Sequence, residues 1–136
     1  MPNKNRKSNR LENFDYSQNG MYFVTICTKN REHYFGEIVN GKMILNELGK
    51  ITENVWKNLP HHYLNIKLDT YTIMPNHFHC IIEIVGTGFV RTGFKPVPTD
   101  IVKNHSLSEI IRGFKTFSAR FINQQQKMQG RNIWQR

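Results

Sequence analysis

The order of apolar patterns along the chain predicts an α+β fold of the ferredoxin-like (RRM-like) type, a β-α-β-β-α series with an antiparallel sheet and helices on one face. Three observations support this. Runs rich in β-branched and aromatic residues indicate strands near residues 22–28, 64–74 and 77–84. Apolar residues at helical spacing indicate helices beginning near residues 47 and 107. The final strand of this fold is missing from the pattern, although Trp134-Gln135-Arg136 are placed to begin it.

Size, charge and cysteine usage describe one basic domain. The chain has 136 residues and a formal net charge of +9, which favours a polyanionic partner such as nucleic acid. It has neither an apolar leader nor a run of about 18 apolar residues, so we expect a cytoplasmic protein without a membrane partner. Cys27 and Cys80 form no CxxC motif and lie in apolar runs. They are predicted to be buried, reduced thiols.

The first half of the chain contains an arm, a strand, a hairpin and a helix. Residues 1–18 are polar and basic and are predicted to be a flexible arm, followed by the domain at 19–136. The strand near 22–28 has apolar residues on both alternating faces, as a strand covered on both sides needs. Asn40-Gly41 suits a type I′ hairpin turn. Asn46 is the predicted N-cap of the first helix and Pro60 its end.

The second half contains a hairpin, an insertion and a helix. Pro75-Asn76 joins the two later strands as an antiparallel hairpin. Residues 86–105 hold three Gly and two Pro without an apolar period, and are predicted to be a long loop or partly disordered insertion. Ser106 and Glu109 form a capping-box pattern ahead of the last helix. Its apolar face is predicted from Ile110, Ile111, Phe114, Phe117 and Phe121, and its basic face from Arg112, Lys115 and Arg120.

The pattern His77-Phe78-His79 is a candidate metal site. Side chains alternate along a strand, so the two histidines share a face with Cα atoms about 6.6–7 Å apart, close enough for both imidazoles to reach one cation. Glu83 is on that face but about 13 Å further along, a poor third ligand. Two imidazoles with oxygen ligands fit Mg²⁺ or Mn²⁺ held partly by a substrate phosphate, whereas zinc hydrolases need a third protein ligand nearby. The alternative is a pair of surface histidines without a metal.

Several segments together resemble the single-strand DNA transposases of the HUH class, and within them the REP-associated tyrosine transposases. The resemblance runs in register from about residue 6 to residue 136, and its most specific segment is Met74-Pro75-Asn76-His77-Phe78-His79. The other matching segments are Tyr22-Phe23-Val24-Thr25, Thr28, Arg31, Phe35-Gly36, Asn40-Gly41, Leu45-Asn46 with Gly49, Phe114-Lys115 and Ile133-Trp134-Gln135-Arg136.

This resemblance implies a DNA transposition enzyme that cleaves and rejoins single-stranded DNA with hairpin ends. His77 and His79 would hold the Mg²⁺ or Mn²⁺ ion, and Arg6, Lys7, Arg112 and Lys115 would follow the DNA backbone. A tyrosine on a later helix would form a 5′-phosphotyrosine intermediate. The resemblance also implies that the protein forms a homodimer and uses no small-molecule cofactor.

The chain departs from the family at the nucleophile. Its five tyrosines, Tyr16, Tyr22, Tyr34, Tyr63 and Tyr71, all precede His77, whereas the family's tyrosine follows the Trp-Gln-Arg segment. The final strand and the tyrosine helix are therefore expected to be absent, and this chain alone is predicted to be inactive in strand cleavage. Two classes remain open: a transposase recorded incompletely, and a truncated, inactive DNA-binding remnant or nucleic-acid-binding module. An RNA-recognition module is less favoured, since it would show paired exposed aromatics on the central strands.

Overall fold

A computed structural model describes residues 19–85 and 105–135. The arm at 1–18 with Arg6 and Lys7, and the predicted insertion apart from His105, lie outside the described residues. The strands are β1 (Gly20–Cys27), β2 (Gly36–Val39), β3 (Lys42–Leu45), β4 (Ile66–Met74) and β5 (His77–Ile84). The helices are α1 (Glu47–Asn58) and α2 (Leu107–Gln125), with short 3₁₀ turns at Lys29–Arg31 and Leu59–His61.

The main sheet has the strand order β1-β5-β4, and both pairings are antiparallel. β5 is therefore the central strand. Thr25 lies opposite His79 on one side of β5, and Thr72 lies opposite His79 on the other. A register shift between Leu68 and Tyr71 interrupts the β4–β5 ladder. The element order and the antiparallel sheet confirm the predicted ferredoxin-like α+β fold.

Local turn and cap signals act where the sequence predicts them. Asn40 (φ 51°) and Gly41 (φ 76°) both take positive φ between β2 and β3, as a type I′ turn requires. The Asn46 side chain accepts a hydrogen bond from the Gly49 N–H at the start of α1. The Ser106 hydroxyl accepts from the Glu109 N–H at the start of α2. These caps satisfy amide groups that a helix leaves unpaired in its first turn.

Both helices cover one face of the sheet, and aromatic rings form the centre of the core. Trp56 of α1 lies 5.2 Å from Phe78 of β5 and 6.0 Å from Phe114 of α2, measured between ring centroids. Phe78 and Phe114 are fully buried. Phe121, predicted on the apolar face of α2, is instead 49% exposed, because it lines an open groove between α2 and Ile51 of α1.

The structure corrects the expectation that β1 is covered on both sides. Ile26 is buried on the helix side, whereas Met21 and Phe23 are 57% and 69% exposed on the opposite face. The physical reason is the placement of both helices on the face that carries Phe78. Among the described residues no second layer covers the other face, so β1 is half-buried despite its continuous apolar sequence.

Residues 133–135 pair with the end of β1, where the fourth strand of a ferredoxin-like sheet begins. The Lys29 N–H donates to the Ile133 carbonyl (2.8 Å), and the Gln135 N–H donates to the Cys27 carbonyl (2.9 Å). Thr28 and Trp134 form an antiparallel bridge. The segment therefore lies where the sequence predicts the start of the last strand, although the described residues form a single bridge there and no strand.

The two cysteines are unpaired thiols. Cys80 is buried, and burial raises its pKa to about 12. Cys27 is half-buried rather than buried, because it lies at the end of β1. No helix within residues 19–85 and 105–135 is long and apolar enough to cross a membrane.

Candidate metal and nucleic-acid site

Strand alternation places His77 and His79 on the sheet face that the helices leave open. Phe78 and Cys80 point into the core, and the two histidines are half-buried on the other side. Their ring centroids are 4.5 Å apart and the ring planes meet at 78°. The two imidazoles therefore lie together, as the HxH spacing predicts.

A hydrogen bond fixes one nitrogen of each ring. His77 Nδ1 lies 2.8 Å from the side-chain oxygen of Asn76, which accepts its proton. His79 Nδ1 lies 3.0 Å from the hydroxyl of Thr25 on the neighbouring strand. Metal-binding histidines are usually held in this way, with Nδ1 donating to an oxygen and the lone pair on Nε2 available to the ion. Nε2 of His77 is thus the candidate ligand, and Nε2 of His79 is the candidate in the tautomer whose Nδ1–H donates to the Thr25 hydroxyl.

The electrostatics keep His77 in the form that a metal needs. Its pKa is lowered, first by burial, then by His79 and then by the positive charge of Arg31. A lowered pKa leaves this imidazole neutral to a lower pH than an ordinary histidine. A neutral ring has the free lone pair that coordination requires.

The donor set contains two nitrogens. Within the described part of the chain no three His, Cys, Asp or Glu side chains come together. A closed tetrahedral zinc site is therefore not built from these residues, since such sites use four protein ligands. Two imidazoles fit a divalent ion that takes its remaining ligands from water and phosphate oxygens.

The basic residues predicted to contact DNA do not gather around the histidines. Arg112 is exposed on α2, and α2 packs on the helix-covered face, opposite the His77 side of the sheet. Lys115 is half-buried, and its Nζ donates to the Gln135 carbonyl at 3.1 Å. Lys115 therefore has a structural contact as well. Arg6 and Lys7 lie outside the described residues.

Three neighbours of the histidines were not predicted as site residues from the sequence. Thr25 bonds His79, and Phe23 stacks near His79 with centroids 6.0 Å apart and an interplanar angle of 24°. Arg31 contributes, after burial and His79, to the lowered pKa of His77. Arg31 follows Asn30 in a tight turn where both residues have positive φ (55° and 56°). Strand alternation with the β1–β5 register would have found Thr25 and Phe23, but the register is not readable from the sequence.

The hydroxyl groups of Tyr63 and Tyr71 bond to the two helices. The Tyr71 hydroxyl donates to Glu53 of α1 (2.8 Å), and the Tyr63 hydroxyl donates to the Glu109 carbonyl of α2 (3.3 Å). Burial is the largest cause of a raised pKa for both. A raised pKa disfavours the phenolate, and the contacts place these two hydroxyls away from the histidine face.

Comparison with known proteins supports a transposase-like fold. A solved structure, a REP-associated tyrosine transposase bound to a REP hairpin, matches with a TM-score of 0.55 and 14% sequence identity. The match covers 96% of this chain and 58% of that one. The two chains share a fold. A protein of Haemophilus influenzae described as uncharacterized is 46% identical over 80 residues, which are 59% of this chain and 44% of its own length.

The chain thus spans less than two thirds of the length of each of these two proteins, 58% of the transposase and 44% of the Haemophilus influenzae protein. No protein-family model matches it.

Proposed function

We propose that this chain is the metal- and DNA-binding part of a transposase-type protein of the HUH class, with His77 and His79 holding Mg²⁺ or Mn²⁺ against a phosphate of single-stranded, hairpin-bearing DNA. The observation that carries the proposal is the histidine pair on the open face, with both Nδ1 atoms held by oxygens. The fold shared with a transposase bound to a DNA hairpin supports it.

The residues around the pair suit a phosphodiester. Arg31 places a positive charge near His77, and guanidinium groups bind phosphate oxygens with charge-assisted hydrogen bonds. Asn76 and Thr25 orient the two rings. The bound ion would supply Lewis-acid polarisation of the phosphate. The chain's net charge of +9 adds a long-range attraction for DNA.

The nucleophile of the strand-cleavage step is proposed to lie outside these 136 residues. The hydroxyls of Tyr63 and Tyr71 are bonded on the helix side, and burial raises their pKa. In the family that the chain resembles, a tyrosine after the Trp-Gln-Arg segment has this role. Dimerisation of two such chains would not supply it, because both copies have the same five tyrosines.

Metal-dependent binding of DNA tests the proposal. Fluorescence anisotropy would measure the affinity of the purified chain for a hairpin with a single-stranded tail, with Mn²⁺ and with EDTA. We expect Mn²⁺ to tighten binding to the parent and to have no such effect on His77→Ala or His79→Ala, because the shared ion bridges the protein and a phosphate. His33→Ala, an exposed histidine outside the sheet, is the matched control and should behave like the parent.

Equal Mn²⁺ responses in the parent and both variants would contradict the proposal. An Mn²⁺-independent affinity for DNA would favour the second class, a nucleic-acid-binding module without metal chemistry.

A covalent-adduct assay separates the two parts of the family mechanism. Incubating the chain with labelled single-stranded DNA and Mn²⁺ should give no protein–DNA adduct on a denaturing gel, because the Tyr63 and Tyr71 hydroxyls bond to the helices on the other side of the sheet and the proposed nucleophile is not among these residues. A 5′-phosphotyrosine adduct from this chain alone would contradict that part and leave metal binding intact.

A further inference from the structure

The open sheet face carries an exposed aromatic ring beside the histidine pair. Phe23 is 69% exposed, more than any other large hydrophobic side chain among the described residues. Its ring lies nearly parallel to that of His79, at 24°, with centroids 6.0 Å apart. Exposing an apolar ring to this extent forgoes the hydrophobic free energy that its burial would give.

The neighbours of Phe23 form a small apolar patch with polar edges. Met21, two residues earlier on the same face, is 57% exposed, and Ile81 lies directly across from Phe23 on β5. Thr25 and His79 border the patch at one end, and Glu83 with Lys67 borders it at the other. The patch is therefore continuous with the proposed metal site and lies on the same face.

The size of the patch distinguishes between two kinds of occupant. A stable protein–protein interface takes about 800 Å² from each partner. Two partly exposed side chains present roughly 250 Å², since a large aromatic side chain has about 150–250 Å² in total. A nucleobase is different, because a single protein ring is sufficient to stack one base.

The position of the ring also suits a nucleotide. The proposed metal site would hold a phosphate at the His77 and His79 imidazoles, whose ring centroids are 4.5 Å apart. The ring centroids of His79 and Phe23 are only 6.0 Å apart, so one nucleotide can contact both side chains. A strand whose phosphate lies at the histidines can therefore direct the attached base toward β1.

We propose that Phe23 is a base-stacking platform for the single-stranded DNA nucleotide adjacent to the phosphate at the histidine pair. This inference rests on the proposed function of that pair. The exposed ring face of Phe23 stacks on the base, and Met21 and Ile81 contact the base edge or sugar. Stacking tolerates any base, so Phe23 contributes affinity and register without sequence preference.

Substitution of Phe23 combined with removal of single bases tests the proposal. Oligonucleotides with an abasic site at successive positions would be titrated by anisotropy in the presence of Mn²⁺. With intact DNA, Phe23→Ala should weaken binding by roughly 5- to 140-fold, the range found for loss of one stacked base. When the abasic site is at the contacted position, the parent should bind as weakly as Phe23→Ala binds intact DNA. The affinity of Phe23→Ala itself should be the same for this abasic DNA and for intact DNA.

Matched variants separate stacking from folding. Phe23→Tyr keeps a ring and should bind as the parent does, whereas Phe23→Leu keeps apolar bulk and should bind as Phe23→Ala does. Phe121→Ala removes another exposed ring on α2 and should leave DNA binding unchanged. All Phe23 variants should keep the Mn²⁺ affinity of the parent, which distinguishes this inference from the histidine site itself.

Three results would overturn the inference. One is unchanged DNA affinity in Phe23→Ala while the parent still binds Mn²⁺ and DNA through the histidines. Another is a change of particle mass in Phe23→Ala by light scattering with DNA affinity intact, because the ring would then be a contact between protein chains. The third is an equal loss of DNA affinity from Phe23→Ala at every position of the abasic site. A stack on one base predicts instead that the effect of the substitution disappears at one position.

Discussion

At the scale of single residues, hydrogen bonds at Nδ1 hold the rings of His77 and His79 in place. Thr25 reaches His79 from a strand 54 positions earlier in the sequence, and Asn76 reaches His77 from the adjacent position. Such partners orient the ring and set its tautomer. Their effect should appear in metal affinity rather than in stability, since Thr25 is exposed.

Replacing Thr25 with valine should therefore weaken Mn²⁺ binding about 10- to 100-fold, the usual effect of losing a hydrogen bond to a ligating histidine. Isothermal titration calorimetry would measure the change. Thr72→Val is the matched control, because Thr72 flanks His79 on the other side and has no hydrogen bond to that ring among the described contacts. Similar Mn²⁺ affinities in Thr25→Val and the parent would show that the hydroxyl does not orient His79.

Cys80 provides a second test at this scale. Its thiol is 1% exposed, and burial raises its pKa to about 12. At pH 8 it is therefore almost wholly protonated and inaccessible, and a thiolate is the reactive form. In Cys27→Ser, where Cys80 is the remaining thiol, Ellman's reagent should react only after the protein is unfolded in guanidinium. Rapid labelling of the folded variant would contradict the buried position of Cys80.

At the scale of elements, local sequence signals predicted the turns and the helix starts. Side-chain exposure and contacts between strands depend on long-range packing. Asn40-Gly41 and Asn46 act through neighbours within four residues, so the sequence alone identified them. The exposure of Phe23 depends on which sheet face the helices cover, and the Thr25–His79 contact depends on strand register. Neither property is encoded within a short window of sequence.

Gly49 in α1 shows packing that opposes intrinsic helix propensity. An added Cβ would lie 2.3 Å from the Phe35 carbonyl oxygen, a backbone atom that also accepts from the Asn46 N–H. Gly49→Ala should therefore lower the free energy of unfolding by roughly 1–3 kcal/mol, although alanine is the better helix former. Urea denaturation would measure it.

The control for Gly49 is Lys50→Ala, an exposed position in the same turn of α1, which should stay within about 0.5 kcal/mol of the parent. A Gly49→Ala variant more stable than the parent would show that α1 is not held this close to residue 35.

Trp134 tests whether residues 133–135 belong to the folded core. It is 5% exposed, its Nε1 donates to the Ser118 hydroxyl at 2.8 Å, and its ring lies 5.1 Å from that of Phe35. Trp134→Ala should cost roughly 3–5 kcal/mol of unfolding free energy, as for other buried large aromatics. Trp134→Phe, which keeps most of the ring contact, should cost less than half of that.

Far-UV circular dichroism is the appropriate probe for the Trp134 variants, because the substitution itself changes tryptophan fluorescence. A Trp134→Ala variant as stable as the parent would mean that the segment beside β1 is not part of the cooperative unit.

At the scale of the whole molecule, the sheet divides the protein into a structural side and a proposed functional side. The helices and the aromatic cluster of Trp56, Phe78 and Phe114 occupy one face. The histidine pair and Phe23 occupy the other, with Arg31 near the pair. Substitutions on the open face should therefore change ligand binding with little change in stability. The HxH spacing predicted this face correctly because strand alternation is a local property.

The central claim is that His77 and His79 together hold one divalent ion. The most direct measurement is an Mn²⁺ titration followed by electron paramagnetic resonance of free Mn²⁺, on the parent, His77→Ala, His79→Ala and the His33→Ala control. The account predicts one bound ion per chain in the parent and the control, and loss of that ion in either variant of the pair. Retention of the same stoichiometry and affinity in both His77→Ala and His79→Ala would contradict it.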